Sequence, residues 1–503
     1  MVNVSDLPTS ANIMHSHFVF TVKRNRDGSV DKFKARLVAN GNTQQHGVDF
    51  DRIFSTVVRF STIRILLVIA AAEDYNLTQV DVRQAYLQAS LTEDLYMRPP
   101  PGVRAFKDGQ QQVCKLLRSL YGLKQAGREW AVLLASFLID WGLTRSTIDV
   151  CLYTYEKGKL LMYVAVYVDD LLICDNDSAT RDRFVSDLNA RFPTEDRGEL
   201  RWLLGVGVTR DRSARTLSLS QELHVDDMIK RHASFAHAGH SRKYDMPMEE
   251  GLILEASDCP TIDSPEHAAL AAQRTEYMAV IGGLLWLSNV TRPDISYAAG
   301  QLARFLSNPG ERHIAAAARV LIYLDTTRTR ALVLAPNAGG GAHRRPLEAY
   351  VDSSWAVKFS CSGGLLFFMG CLVHWFSRMQ RSVALSSAEA EFFGAMMCAR
   401  EVVCLRELVV DLGMGPETAT TIFSDSRSAV ALAFDPVAFK NTKHILRAAE
   451  FLRDLVARRV VALHHVKGTT MIADILTKAV SRPIFISLLR LLDDYSSSGL
   501  VVV

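Results

Sequence analysis

Apolar and polar positions along the chain predict strands and helices that alternate near both ends, with a mostly helical stretch between them. Residues 18–41 alternate apolar and basic side chains around an Asp-Gly turn, which is typical of a β-hairpin. An apolar helix is predicted over 62–73, then a strand ending near Asp81, and later a helix that stops at Gly142. The run LLMYVAVYVDDLLI at 160–173 predicts two apolar strands that meet at a pair of carboxylates.

The second half of the chain begins with a helical block over 272–325. A linker rich in prolines and acidic residues precedes this block at 249–267, and a glycine-rich loop follows it near 335–346. Strand-like runs, a long helix and further short strands come after the loop. The end of the chain, DDYSSSGLVVV, is predicted to be a polar loop with a short apolar end. This alternation indicates two α/β or α+β units joined by a helical connector.

Composition places the chain among ordinary globular proteins and excludes a disordered or fibrous one. Its 503 residues are 49% hydrophobic and 22% charged, and a length prior of roughly 100–200 residues per domain gives about three to five units. The net charge is 57 − 54 = +3, so any affinity for nucleic acid must come from local basic patches. Residues 21–36 hold six basic and two acidic side chains, and residues 440–478 hold eight basic and three acidic ones.

Cysteine usage and hydropathy argue against a protein held by disulfides or zinc and against a membrane-spanning protein. The eight cysteines include no C-x-x-C pair, which argues against a disulfide framework or a structural zinc site and favours a reducing compartment. The longest apolar runs fall short of the ~20 residues that a bilayer span requires, and no secretory signal begins the chain. We therefore expect a soluble protein with no membrane partner.

Three aspartates form the first candidate site. Asp169 and Asp170 end an otherwise apolar strand, and Asp81 ends another. Burial of ionised carboxylates is costly unless a cation offsets them, and oxygen ligands without histidine or cysteine suit Mg²⁺. The alternative is an acidic hairpin turn, since aspartate is common in turns. The Y-V-D-D context of the pair and the D-x-x-x-A-Y frame that begins at Asp81 favour a metal site.

Several segments together resemble the reverse transcriptase and ribonuclease H part of copia/Ty-family LTR-retrotransposon polyproteins. In the family's order, over roughly residues 18–480, these segments are KARLVANGNTQQHGVDF, QVDVRQAYL, LYMRPPPG, KLLRSLYGLKQAGREW, YVDDLLI, TRPDISYAAGQLARFL, VALSSAEAEF and ADILTK. Ala89 stands where the family usually has glycine, and Thr56 and Gly127 stand where it usually has proline. None of these departures touches a carboxylate.

The resemblance implies a polymerase site with defined roles. Its palm metal ligands would be Asp81, Asp169 and Asp170. The resemblance also assigns six residues to the incoming deoxynucleotide: Lys34, Arg36, Arg83, Gln84, Tyr86 and Gln125. Lys34 and Arg36 belong to the fingers hairpin, and the choice between these two is left open. Tyr86 would crowd the ribose 2′ position and Gln125 would lie near the nascent base pair. From the residues alone, a solvated hairpin face and core packing remain the alternatives for the basic pair and for Tyr86.

A second candidate site consists of four carboxylates on separate predicted elements, which could converge on two Mg²⁺ ions and orient water for phosphodiester hydrolysis: Asp352, Glu391, Asp425 and Asp474. Two glutamates compete for the helical position. Ser386 and Glu389 fit a capping box, which gives Glu389 a structural task and leaves Glu391 as the ligand. The resemblance assigns the same four carboxylates to ribonuclease H.

Two adjacent histidines, His464 and His465, precede Asp474 in the sequence. Their position resembles the mobile histidine loop of ribonucleases H, where an imidazole can move protons near neutral pH. Surface or packing histidines are the alternative.

The implied fold is an α+β and α/β multidomain protein with a palm–fingers–thumb polymerase, a mostly helical connection and a ribonuclease H-like α/β domain. The predicted boundaries are 1–248 for the reverse transcriptase, 249–344 for the linker and connection, 345–480 for the ribonuclease H-like domain and 481–503 for the tail. Because Met1 falls inside the fingers region of the family's pattern, we expect the capsid, protease and integrase segments to be missing.

The implied function is an RNA-directed DNA polymerase with ribonuclease H activity that copies retrotransposon RNA into DNA and degrades the RNA strand of the hybrid. It implies Mg²⁺, with Mn²⁺ as an alternative, and an RNA template, a DNA primer, an RNA–DNA hybrid and deoxynucleoside triphosphates as partners. It also implies an intracellular location, in a cytoplasmic particle with later nuclear access. The rivals are an RNA-dependent RNA polymerase, against which Tyr86 and the second site argue, and an inactive or domesticated remnant that only binds nucleic acid, which the presence of all seven acids disfavours.

Overall fold

The structure is a computed structural model that describes residues 1–24, 29–107, 109–235, 243–336, 347–356, 359–415, 418–434 and 446–498. The Asp-Gly turn of the predicted N-terminal hairpin and most of the predicted glycine-rich loop lie outside these residues. The strands are β1 (Val2–Asn3), β2 (Ile13–Met14), β3 (Ser16–Arg24), β4 (Val30–Ala39), β5 (Asn76–Val82), β6 (Ser90–Met97), β7 (Phe106–Lys107), β8 (Gln110–Arg118), β9 (Thr144–Arg145), β10 (Leu152–Lys157), β11 (Leu160–Tyr167), β12 (Asp170–Asp175), β13 (Thr194–Glu199), β14 (Trp202–Leu203), β15 (Val206–Asp211), β16 (Thr216–Ser220), β17 (Leu332–Leu334), β18 (Glu348–Ser354), β19 (Cys361–Phe368), β20 (Cys371–Met379), β21 (Thr420–Ser424) and β22 (Val461–His465).

The α-helices are α1 (Phe60–Glu73), α2 (Ala85–Gln88), α3 (Ala126–Asp140), α4 (Ser178–Arg191), α5 (Glu222–Arg231), α6 (Pro265–Ala269), α7 (Ala271–Val290), α8 (Ser296–Ala303), α9 (Glu311–Thr326), α10 (Ser387–Asp411), α11 (Arg427–Phe434), α12 (Leu446–Ala457) and α13 (Arg482–Ser498). A short 3₁₀ helix at Ile472–Leu476 matters for the second site. The predicted class of a mixed α/β multidomain protein is confirmed.

The chain forms two compact units that do not follow its sequence order. The first contains Met1–Val58 and Asn76–Glu199, and the second contains Arg59–Tyr75 and Leu200–Val503. Helix α1 therefore belongs to the second unit, although the segments on both sides of it belong to the first. The four-part division into 1–248, 249–344, 345–480 and 481–503 stays a prediction.

A six-stranded antiparallel sheet is the centre of the first unit, with the strand order β13-β5-β12-β11-β10-β9. Its central strands are apolar because helices cover one face of the sheet. Trp130 and Leu138 of α3 and Phe184 of α4 pack with Val164 and Ile173 in one buried cluster. This packing fixes the ends of β5 and β12, where the first three candidate aspartates lie.

The second unit contains a five-stranded sheet with the order β20-β19-β18-β21-β22. Strands β18, β21 and β22 are parallel, and β19 and β20 are antiparallel to their neighbours. Helix α10 packs closely on β18 because Gly394 has no side chain: a Cβ there would lie 2.1 Å from Ser353 Oγ. This close approach brings a helical carboxylate near the carboxylate of the central strand.

The helical connector of the second unit is held by a buried ion pair. Helices α7, α8 and α9 confirm the predicted helical block. Arg292 and Asp294, just after α7, have side chains that are 1% and 0% exposed, and two guanidinium nitrogens lie 2.7 and 2.9 Å from the carboxylate oxygens. Tyr323 donates a hydrogen bond to Asp294, and Thr327 accepts two from Arg292. The pair is therefore fully desolvated and fully hydrogen-bonded.

Helix α1 is apolar on nearly all sides and carries one buried arginine. The guanidinium of Arg64 donates to the carbonyl oxygens of Val373 at 3.0 Å and of Val290 at 2.7 Å, and it lies 4.0 Å from the ring centroid of Trp375. Burial lowers the pKa of Arg64 to about 9. The helix is thus tied to segments of the second unit that come much later in the chain. Among the described helices, none is long and apolar enough to cross a membrane.

The prediction of a polar loop at the end of the chain was wrong, because helix α13 runs through the DDYSSS segment. Its side chains Phe485, Leu488, Leu492 and Tyr495 are 2–4% exposed. Their spacing of three, four and three residues makes one apolar face, and this face accounts for the helix. The two aspartates of this segment lie between Leu492 and Tyr495, and its three serines follow Tyr495 on the same helix.

Candidate active sites

The palm strands place two of the three predicted aspartates opposite each other. Strands β5 and β12 are antiparallel neighbours, and Asp81 and Asp170 are direct register partners. Side chains of directly opposed residues lie on the same face of a sheet, about 4.5–5.5 Å apart at their Cβ atoms. Register alone therefore brings these carboxylates together, although they are far apart in the sequence.

The tight turn between β11 and β12 presents the third aspartate. Tyr167 and Asp170 are register partners, so Val168 and Asp169 are the two turn residues. Val168 has φ of 59°, which is strained for a β-branched residue and costs on the order of 1–3 kcal/mol. The indole of Trp130 donates to the Val168 carbonyl at 2.7 Å, and the Val82 amide donates to the Asp169 carbonyl at 2.8 Å. These contacts hold the strained turn in place.

An arginine offsets the charge of this cluster. Arg197 Nη2 lies 2.9 Å from Asp81 Oδ2, and Nη1 lies 3.8 Å from Asp170 Oδ1, which also accepts a hydrogen bond from Gln79 at 2.9 Å. Burial raises the pKa of Asp81, against the lowering effect of the Arg197 charge. Burial also raises the pKa of Asp169, and the charges of Asp81 and Asp170 raise it further. The sequence predicts a compensating cation but does not identify Arg197.

A bulge in the edge strand explains the position of Arg197. The pairing of β13 with β5 shifts register between Asp196 and Glu199, and Gly198 has φ of 71°. Bulges of this kind commonly redirect a side chain. A glycine directly after a basic residue was the available sequence signal.

The fingers hairpin confirms the predicted pairing of β3 with β4 and separates its two candidate residues. Thr21 pairs with Lys34 and Val19 with Arg36, so both basic residues lie on one face. The charge of Lys34 acts against the burial that raises the pKa of Asp81 and of Asp169, whereas the guanidinium of Arg36 lies 5.5 Å from the ring centroid of Tyr121. Lys34 is thus the member of the pair that acts on the carboxylates.

Three further nucleotide-binding candidates follow β5. Arg83 is exposed and lies 3.3 Å from Glu195, and Gln84 precedes α2 in a left-handed conformation. Tyr86, on α2, is half-buried, with its ring edge toward Tyr121 at a centroid distance of 5.3 Å. Burial and then the charge of Asp169 raise the pKa of Tyr86. Tyr86 therefore packs partly into the core and also faces the carboxylate cluster.

Gln125 lies in a buried amide network. It is 0% exposed, its Oε1 accepts from Gln44 at 3.0 Å, and its Nε2 donates to the Asp49 carbonyl at 2.8 Å. Both ends of the amide are satisfied by protein atoms, so the structure does not bring this side chain to the carboxylate cluster. Its role near the base pair stays a prediction.

The second unit gathers the other carboxylates more tightly. Asp352 on β18, Glu391 on α10 and Asp425 after β21 each offer an oxygen within 4.8 Å of the other two, and among the described residues the palm aspartates do not form so close a group. Glu391 Oε2 is buried and has no hydrogen-bond partner among the described residues. A buried carboxylate oxygen of this kind fits a cation ligand.

Burial and mutual repulsion perturb this group strongly. Burial first, and then the charges of Asp352 and Asp425, raise the pKa of Glu391 to about 9. Burial and the charge of Asp352 also raise the pKa of Asp425. Carboxylates held together against their charge are typical of functional sites, and a divalent cation would relieve the repulsion.

The fourth predicted carboxylate, Asp474, lies on the short 3₁₀ helix and has a lysine partner. Lys478 Nζ is 2.8 Å from Asp474 Oδ1 and 3.7 Å from Asp352 Oδ2. The hydroxyl of Thr477 donates to Asp352. Burial raises the pKa of Asp474 to about 7, with a further contribution from the charge of Asp352. The sequence did not identify Lys478 as part of this cluster.

The structure separates the two competing glutamates as predicted. The Ser386 hydroxyl accepts from the Glu389 amide at 3.2 Å, and Glu389 Oε2 accepts from the Leu385 amide at 2.9 Å. Glu389 therefore caps the start of α10, and Glu391 faces the carboxylate group.

The two histidines end strand β22 and point to different faces of the sheet. His464 pairs with Phe423, and its ring centroid lies 6.3 Å from the phenyl centroid. The charge of His465 acts against the burial that raises the pKa of Asp425, so His465 is the histidine near the second site. Proton transfer by either histidine stays a prediction.

Comparison with known proteins shows which family this chain resembles. Residues 1–241 match the family described as "Reverse transcriptase (RNA-dependent DNA polymerase)". The retrovirus-related Pol polyprotein from transposon RE1 of Arabidopsis thaliana is 34% identical over 482 residues, which are 95% of this chain and 31% of that protein. The chain belongs to the copia-type retrotransposon polyproteins.

Other similar proteins show how much of such a polyprotein this chain covers. The Pol polyprotein from transposon TNT 1-94 of Nicotiana tabacum is 32% identical over 483 residues, which are 95% of this copia-type chain and 35% of that protein. The chain therefore spans about a third of the length of the curated relatives it matches. A solved structure of the foamy viral protease-reverse transcriptase in complex with RNA/DNA hybrid has a TM-score of 0.43 and 12% identity, over 92% of this chain and 51% of that one.

Proposed function

We propose that this chain is an RNA-directed DNA polymerase with ribonuclease H activity, which copies retrotransposon RNA into DNA and degrades the RNA strand of the hybrid. The palm register carries the proposal: Asp81 and Asp170 face each other beside the Asp169 turn, inside the segment that matches the reverse transcriptase family. The second carboxylate group, in the other unit, supports the nuclease part.

In the polymerase site, Asp81, Asp169 and Asp170 would hold Mg²⁺ or Mn²⁺, because their oxygens match what these ions prefer. Such ions activate the attacking oxygen and stabilise the leaving oxygen of an in-line displacement. The chain itself supplies positioning, since Trp130 holds the turn carbonyl and Lys34 adds positive charge where a triphosphate would lie. The primer 3′-hydroxyl would attack the α-phosphate of the deoxynucleoside triphosphate and displace pyrophosphate, while the hydroxyl proton is released.

In the nuclease site, Asp352, Glu391, Asp425 and Asp474 would hold the same kind of ion, and water would replace the primer hydroxyl as the nucleophile. The buried Glu391 oxygen, for which the described part of the chain offers no hydrogen-bond partner, supports this assignment. His465 is the candidate for moving a proton at Asp425.

The test is primer extension by the purified chain on an RNA template whose strand is labelled separately from the primer. We expect Mg²⁺-dependent DNA synthesis from deoxynucleotides, together with cleavage of the RNA strand. Binding of the template without synthesis or cleavage would overturn the proposal and favour a remnant that only binds nucleic acid. Incorporation of ribonucleotides as efficient as that of deoxynucleotides would favour an RNA polymerase.

Tyr86→Ala should increase ribonucleotide incorporation, because the half-buried ring of Tyr86 is near enough to Asp169 for that charge to raise its pKa further, and a ring there would crowd the 2′-hydroxyl of a bound ribonucleotide. A discrimination of 1–3 kcal/mol, which corresponds to roughly 10–200-fold, is typical of steric selection in a pocket. The measurement is the ratio of kcat/KM values for deoxynucleotide and ribonucleotide. Tyr86→Phe keeps the ring and should keep the ratio. An unchanged ratio in Tyr86→Ala would contradict the role of Tyr86 in excluding ribonucleotides.

A further inference from the structure

The lysine of the second site contacts two of its four carboxylates. Lys478 Nζ lies 2.8 Å from Asp474 and 3.7 Å from Asp352. Asp352 also belongs to the group with Glu391 and Asp425. Asp352 is therefore shared by two cationic positions, one formed by the three carboxylates and one already held by an ammonium group.

We propose that Lys478 is a resident cation of the nuclease site, so that the substrate-free site binds one divalent ion, at Asp352, Glu391 and Asp425, rather than two. The biological role of this arrangement rests on the proposed ribonuclease H function. The number of bound ions does not, since it depends only on the carboxylates and the lysine. Lys478 is thus a positioning residue, which acts through Asp474 and Asp352.

The electrostatics of the cluster favour this arrangement. An ammonium group between two carboxylates offsets charge that burial would make costly, and the Thr477 hydroxyl donates to the same Asp352 oxygen that Lys478 approaches. Burial lowers the pKa of Lys478, but the charges of Asp352 and Asp474 outweigh it and leave the pKa raised. The contacts at 2.8 and 3.7 Å therefore place the Lys478 ammonium group between Asp474 and Asp352.

Lys478 can also leave this position. Its side chain is 45% exposed, whereas that of Asp352 is 2% exposed. A lysine has a flexible four-carbon stem and a strongly hydrated head, so a displaced ammonium group can enter solvent at low cost. The second position then becomes available when a nucleic-acid phosphate reaches the site, which gives an order of loading: one ion first, and a second with substrate.

The experiment counts Mn²⁺ ions bound per chain by electron paramagnetic resonance, in the full chain with Asp169→Asn and Asp170→Asn to remove the palm ligands. We expect one tightly bound ion in this parent chain and two after Lys478→Gln. Lys478→Arg keeps the charge and should keep the count at one. Lys230→Gln on α5 removes an exposed lysine and should also leave one ion, and Asp352→Asn supplies the background count.

Two tightly bound ions in the parent chain, or a single ion after Lys478→Gln, would overturn the inference. The number of ions bound by the parent chain is measured without a substitution at Lys478. A count of two there would overturn the inference even if Lys478→Gln does not fold. Activity is scored separately with an RNA–DNA hybrid. If only the proposed function fails, the RNA strand is not cleaved but the ion counts are as expected. If only the inference fails, the RNA strand is cleaved but the parent chain and Lys478→Gln bind the same number of ions.

Discussion

Asp169→Asn should abolish DNA synthesis while RNA cleavage continues, and Glu391→Gln should do the reverse. Each substitution replaces one carboxylate oxygen with an amide nitrogen and removes one negative charge, at nearly constant size. Metal ligation stabilises the transition state by several kcal/mol, and each 1.36 kcal/mol is tenfold in rate, so we expect a fall of roughly a thousandfold or more. The measurement is the assay with separately labelled primer and RNA.

The sharpest control for Glu391→Gln lies two residues earlier on the same helix. Glu389→Gln makes the same chemical change, but glutamine still accepts the Leu385 amide as a helix cap. RNA cleavage should therefore stay near the wild-type rate in Glu389→Gln. Equal losses in the two variants would contradict the assignment of Glu391, and loss of both activities in Asp169→Asn would show that the two sites do not act independently.

Arg292→Ala should destabilise the second unit strongly. The substitution removes the partner of Asp294, whose carboxylate is completely buried. Leaving a buried charge unpaired typically costs about 3–5 kcal/mol. The measurement is urea unfolding followed by tryptophan fluorescence, in which the midpoint for the second unit should fall.

A double substitution separates the contribution of the ion pair to stability from the contribution of side-chain packing. Arg292→Met with Asp294→Leu removes both charges and keeps apolar volume, and such replacements are often neutral or stabilising. The double variant should therefore be more stable than Arg292→Ala. A loss in Arg292→Ala below about 1 kcal/mol, the range of exposed ion pairs, would mean that the charge is not buried as described.

The same pair predicts a pH dependence. Burial alone would raise the pKa of Asp294, but the charge and hydrogen bonds of Arg292 outweigh it and lower the pKa to about 2. The ordinary pKa of aspartate is about 3.9. A lowered folded-state pKa gives stability that is present above pH ~4 and is lost as the pH falls toward 2. Arg292→Ala should lose this dependence between pH 4 and 2.

Much of each site could be predicted because local patterns specify it. The apolar run before Asp169 predicted the hairpin, and β11 and β12 confirm it. The S-x-x-E spacing from Ser386 predicted that Glu389 is a cap. In both places the chemistry of a few adjacent residues is sufficient, since a turn and a helix start are local structures.

Other features depend on contacts that no local pattern encodes. Arg197 is 116 residues from Asp81, and the pairing depends on the bulge in β13. The amide of Gln125 is satisfied by Gln44, 81 residues earlier. Helix α13 is different, since the spacing of its buried side chains is present in the sequence, although its serines and aspartates favour a loop.

The arginine of α1 has a consequence for how the protein is made. The guanidinium of Arg64 donates to the carbonyl of Val373, 309 residues further along the chain. At the roughly 5–20 residues per second at which ribosomes elongate, Arg64 is synthesised about 15–60 s before this acceptor. During that interval the apolar side chains of α1 lack their native contacts, so we expect chaperones that bind nascent chains to bind this segment.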